Sequence, residues 1–83
     1  MVSGEEIARL GQQIYDDQIR QAVEPRLNGQ FLVIDIATGD YEVDPDEMAA
    51  GDRLYQRHPN GDQFLIRVGH PTAHRIGIGA MRS

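Results

Sequence analysis

The 83-residue chain has no cysteine, no tryptophan and no lysine. Without cysteine it forms neither a disulfide nor a thiolate metal site. The same absence fits a reducing compartment, so a cytoplasmic location is expected. Serine is nearly missing too: Ser3 and Ser83 stand at the two ends, which leaves no nucleophile constellation. No apolar run approaches the roughly 20 residues that a membrane span needs. The N-terminus lacks a basic segment followed by an apolar one, so no signal peptide is expected. A chain of this length buries only about 60% of its unfolded surface, and self-association or a partner is a common route to added stability.

Charge is plentiful and unevenly placed. The net charge of −5 argues against nucleic acid, whose binding rests on neutralising phosphates. Residues 1–52 hold twelve acids and three arginines, and residues 53–83 hold one acid and five arginines. Genomic base composition accounts for an all-arginine set of cations. Arginine's planar fork also suits paired carboxylates at interfaces.

Hydrophobic spacing and turn residues divide a single domain, 1–83, into three parts. Residues 1–25 read as a helix with Ser3 as N-cap, Glu6 completing a capping box and Pro25 as the stop. Its apolar residues fall on two stripes about a quarter-circle apart. Ile7, Leu10 and Ile14 share one; Ala8, Tyr15, Ile19, Ala22 and Val23 share the other. The spacing allows one wide core face, or one stripe for the chain's own sheet and one for a partner. Residues 29–69 read as a ββαβ core. "QFLVIDI" is apolar on both faces, as a central strand is. "ATGD" is a hairpin turn with Gly39 at a positive φ, and "YEVD" is the return strand, with Tyr41 and Val43 on one face and Glu42 and Asp44 on a solvated one. Asp44 is placed as N-cap of a second helix, with Pro45 in its first turn and Glu47 closing the box. Met48, Gly51, Leu54, Tyr55 and His58 form its expected inner face. "DQFLIRVG" is the third strand, with Phe64, Ile66 and Val68 on one side. Residues 70–83 read as a C-terminal arm. The expected fold class is α+β: a small antiparallel three-stranded sheet with two helices, order α-β-β-α-β plus the arm, and the first strand central.

The acidic stretch "LVIDIATGDYEVDPDE" invites three chemical readings. An aspartic protease needs Asp directly before Thr-Gly, but here Ile36 and Ala37 separate Asp35 from Thr38 and Gly39. An EF-hand loop counted from Asp40 needs Gly at its sixth position and has Pro45. A paired-carboxylate acid–base site needs two carboxylates converging in a pocket, whereas alternation puts Glu42 and Asp44 on an open strand face. Turn and cap roles account for these residues. Asp35 is the exception: inside the most apolar strand a carboxylate needs a partner, and Arg67 or an arginine of the arm is the expected one. His70 and His74 give H-x-x-x-H, but Pro71 works against a helix there and no third ligand is near. "GIGAM" lacks the third glycine of a dinucleotide loop. No catalytic residue, cofactor or metal site is expected.

From about Ile14 to Gly77 the chain resembles a group of small uncharacterised proteins of cyanobacteria and other bacteria. The resemblance rests on "IYDDQIR", "VEP", "FLVIDIATGDYEVDPDE", "RVG" and "PTAHRIG". Genes of that group stand beside a second small gene, sometimes for a retropepsin-like protease or a toxin-like protein. The resemblance thus implies an accessory or antitoxin-like role and carries no catalytic residue over. The expected function is a non-catalytic protein–protein interaction module, with a homodimer as the expected assembly. An enzyme subunit completed by a partner and a nucleic-acid-binding regulator are the alternatives. The expected partner-binding residues are Tyr15, Ile19 and Val23 on the helix and Arg67, His70, His74 and Arg75 at the basic end. That end is complementary to the acidic hairpin of a second copy.

Overall fold

The structure, a computed structural model, describes residues 3–69. The arm at 70–83 lies outside them. The elements are α1 (Gly4–Ile14), a π-helical turn (Tyr15–Ile19), α2 (Arg20–Val23), β1 (Phe31–Asp35), β2 (Tyr41–Asp44), α3 (Glu47–Arg57) and β3 (Gln63–Arg67). The first three run on as one helix from Gly4 to Val23. The strands form one antiparallel sheet, order β2-β1-β3, with β1 in the middle as its two-sided apolar sequence requires. The fold is therefore α+β with the expected element order.

Ser3 caps the long helix, its hydroxyl oxygen accepting the Glu6 N–H at 3.1 Å, while the Glu6 carboxylate pairs with Arg9. The two apolar stripes are reconciled by the π-helical turn. Ile7, Gly11, Tyr15, Ile19 and Val23 recur every fourth residue. In an unbroken α-helix each such step overshoots one turn by about 40°, so the stripe would swing off the sheet. A turn closed by i→i+5 bonds is wider and cancels part of that drift. Tyr15, Ile19 and Val23 are accordingly 2% exposed, packed with Leu32, Ile34, Phe64, Ile66 and Val68. The expectation that these three meet a partner is corrected: they are the chain's own core, and the first helix itself covers this sheet face. Ile19→Asp should therefore destabilise the fold by burying an unpaired charge.

The register sets the two sheet faces. Leu32 and Ile34 of β1 lie beside Val43 and Tyr41 on one flank and Ile66 and Phe64 on the other, all toward the long helix. Val33 and Leu65 face the other way, onto Ala50 and Leu54 of α3. α3 begins later than the sequence led us to expect. Its N-cap is Asp46, whose Oδ1 accepts the Met48 N–H at 3.0 Å. Asp44 instead accepts the Asp46 N–H at 2.8 Å, so Asp44-Pro45-Asp46 is the turn before the helix and Pro45 precedes the cap. The inner face also differs: Ala50 and Leu54 are buried, and Met48 and Tyr55 stand 69% and 59% exposed. Among the described residues no helix is long and apolar enough to cross a membrane.

Close packing of α1 on β3 depends on Gly11. A Cβ there would lie 2.8 Å from the Phe64 Cβ and still closer to its ring. Alanine gains up to about 1 kcal/mol of helix propensity over glycine, but overpacking against a fully buried ring costs about 1–3 kcal/mol. Gly11→Ala should therefore destabilise the protein in urea unfolding. In the same assay Asp46→Ala should cost about 1 kcal/mol by loss of the α3 cap.

Candidate partner interface

The acidic stretch resolves into two devices. The first is the hairpin turn. Asp35 is 1% exposed, and its Oδ2 accepts the Thr38 N–H at 3.1 Å and the Thr38 hydroxyl at 2.7 Å. Gly39, at φ 81°, donates its N–H back to the Asp35 carbonyl at 2.8 Å and closes the turn. Arg67 is thus excluded as that partner, and the arginines of the arm lie outside the described residues. Arg67 lies opposite Phe31 at the far end of β1, while Asp35 lies opposite Gln63. Asp35 Oδ1 has no hydrogen-bond partner among the described residues and packs where a Cβ on Gly61 would sit. Asp35 is a turn-building carboxylate, and Gly61 is small because that carboxylate is there.

The second device joins β2 to α3. Arg53 donates from Nε to Glu42 Oε1 at 2.8 Å, from Nη1 to Asp44 Oδ2 at 3.0 Å and from Nη2 to the Val43 carbonyl at 3.1 Å. Arg57 repeats the pattern one helical turn later. Its Nε reaches Asp40 Oδ2 at 2.9 Å, its Nη1 reaches Glu42 Oε2 at 2.5 Å, and its Nη2 reaches the Tyr41 carbonyl at 3.4 Å. His58 Nε2 lies 3.0 Å from Asp40 Oδ2. Glu42 and Asp44 therefore do not lie on a solvated face as expected; they dock α3. The acidic hairpin is matched within the chain, which removes it as a lure for the basic end of a second copy.

These contacts also decide what the two sheet edges offer. Asp35 donates its N–H to the Asp40 carbonyl. By antiparallel alternation the Tyr41 and Val43 backbone groups then point away from β1, to the outer edge of β2. Arg53 and Arg57 bind those two carbonyls, so the β2 edge is covered. On the other flank Val68 donates to the Gln30 carbonyl and Ile36 to the Asp62 carbonyl. The even-numbered residues of β3 thus bond β1, and Gln63, Leu65 and Arg67 turn their backbone groups outward. Among the described residues no strand pairs with that edge.

Of the expected partner-binding residues, Tyr15, Ile19 and Val23 are core. Arg67 is exposed on β3, its Nε donating to the Gly29 carbonyl at 3.1 Å and its guanidinium 5.2 Å from the Phe31 ring centre. His70, His74 and Arg75 lie outside the described residues. Sequence reasoning missed Arg53 and Arg57. Their signal was present: acids at every second residue (40, 42, 44) facing arginines four apart (53, 57). No group of three or more metal-ligating side chains occurs among the described residues.

The arginines leave a pH signature. Hydrogen bonds from Arg57 and then His58 hold the Asp40 carboxyl down to about 2. Glu42 is lowered chiefly by Arg53 and then Arg57, and Asp44 by the Asp46 N–H and then Arg53. An unfolded aspartate titrates near about 4, so the folded chain binds these protons less readily. Their stabilisation is complete above about pH 5 and is lost as the pH falls toward about 2. Arg57→Gln should flatten that acid limb, read as Tm against pH by circular dichroism.

Compared with known proteins, the chain matches no family model, no curated protein and no solved structure.

Proposed function

We propose that this chain is a small non-catalytic protein-binding module of the cytoplasm, an accessory or antitoxin-like partner of another protein. Its binding element is the outer edge of β3. The observation that carries this reading is the difference between the two sheet edges. An unpaired edge is a template for another strand, and proteins guard edges they do not use. Here the β2 edge is guarded by two arginines, while β3 presents the outward backbone groups of Gln63, Leu65 and Arg67. Strand addition at such an edge is a recurrent mode of protein recognition.

The hairpin carboxylates support the non-catalytic part. A general acid or base works best with a pKa near the working pH, whereas arginine holds Asp40 and Glu42 further below it. The same pairing occupies two of the chain's cations, which weighs against a phosphate-binding role.

The test is copurification from the native organism, followed by reconstitution with the identified partner from purified components. Leu65→Pro removes an outward N–H and no bond to β1, and proline is tolerated at such edge positions. Leu65→Ala makes a similar loss of side chain but keeps the N–H. The complex should survive Leu65→Ala and be lost with Leu65→Pro. A complex indifferent to Leu65→Pro but lost with Met48→Ala/Tyr55→Ala would move the interface to the outer face of α3.

A further inference from the structure

We infer that the β3 edge pairs with β3 of a second copy of this chain, joining two three-stranded sheets into one of six strands. The inference rests on the reading of β3 as the binding edge and names one occupant of it. A two-fold axis at Leu65 sets Leu65 against Leu65 of the second copy. Gln63 then faces Arg67 of that copy, and Arg67 faces its Gln63. Three residues on each side turn their backbone groups outward in the alternation that an antiparallel partner needs. The contact is isologous, so it closes on itself as a dimer and does not propagate.

Charge favours this pairing over the alternatives. β3 carries no acid, and its one charge, Arg67, meets a neutral amide across the axis. The two Arg67 residues stand four strand positions apart, about 13 Å, which exceeds the screening length of about 8 Å at physiological ionic strength. Centring the axis on Arg67 would set guanidinium against guanidinium. Pairing β2 with β2 would displace Arg53 and Arg57 from the Val43 and Tyr41 carbonyls. The Arg67 side chain does not obstruct the β3 edge, because it lies back over Phe31 toward Gly29.

Three facing residue pairs form a contact below the roughly 800 Å² per partner of a standard interface, so the dimer should dissociate on dilution. The deciding measurement is hydrogen exchange on the full chain at two concentrations, with sedimentation velocity at both. Where the chain sediments as a dimer, the amides of Gln63, Leu65 and Arg67 should exchange at least about tenfold more slowly than in the dilute monomer. Those of Phe64 and Ile66 should not change with concentration. Leu65→Pro should sediment as a monomer, and Leu65→Ala should still dimerise; if the proline variant does not fold, the alternation in the unmodified chain decides alone. A monomer at high micromolar concentration overturns the inference, as does a dimer whose odd-numbered amides stay unprotected. Odd-numbered amides protected in the monomer also overturn it, since the chain would then cover its own edge. A failure here leaves the binding-module reading standing if the reconstituted partner is still lost with Leu65→Pro.

Discussion

The arrangement of this small sheet depends on a match between two repeats. Two residues of strand advance about 6.7 Å, and four residues of helix advance about 6 Å. Acids at 40, 42 and 44 on the hairpin can therefore meet arginines at 53 and 57 on the helix with little adjustment. Once both arginines are engaged, the rotation of α3 about its axis is fixed. Ala50 and Leu54 turn down onto Val33 and Leu65, and Met48 and Tyr55 turn out. Burial of Ala50 and Leu54 and the three hydrogen bonds that Arg53 and Arg57 each make to the hairpin select the same rotation.

The opposite face is organised by a different misfit, between a four-residue apolar repeat and a 3.6-residue helix. The π-helical turn at Tyr15–Ile19 absorbs it and keeps Ile7 through Val23 on the sheet. It also brings the Tyr15 hydroxyl to Glu24 Oε2 at 2.5 Å. Burial, followed by that hydrogen bond and the Glu24 charge, pushes the tyrosine hydroxyl well above its ordinary range. Arg20 lies over the Tyr15 ring at 5.2 Å and reaches Glu24 at 3.4 Å, so the charge beneath the buried tyrosine is partnered. Gly11 completes the face by letting the helix settle onto Phe64.

Much of this was legible in the residues. The alternation in "QFLVIDI" placed β1 in the centre, Gly39 marked the hairpin, and Phe64, Ile66 and Val68 marked the buried side of β3. The errors have physical causes. A helical wheel assumes a constant 100° step, so it split one stripe into two at the π-helical turn and assigned Tyr15, Ile19 and Val23 to a partner. Two aspartates flank Pro45, and either can cap a helix. The turn hydrogen bond from the Asp46 N–H to Asp44 chose the second. Asp35 called for Arg67 on general grounds, but Arg67 lies at the other end of β1, and Thr38, three residues on, supplies two local donors. The edge of β3 that no described strand covers was least legible, because such an edge is a property of pairing between strands and not of any one strand's side chains.

The arginine pairs contribute more to selectivity than to stability. Exposed ion pairs add little to stability, whereas burying one large apolar side chain is worth about 1.5–3 kcal/mol. Leu32, Ile34, Phe64, Ile66, Tyr15 and Ile19 are almost wholly buried, so the hydrophobic core holds the fold. What the arginines add is a constraint on association. A three-stranded sheet begins with two edges, each able to recruit a strand. By binding the Tyr41 and Val43 carbonyls, Arg53 and Arg57 remove one edge from competition at no cost to the packing. With the β2 edge closed, strand addition is confined, among the described residues, to the β3 edge, whereas a sheet with two open edges can polymerise.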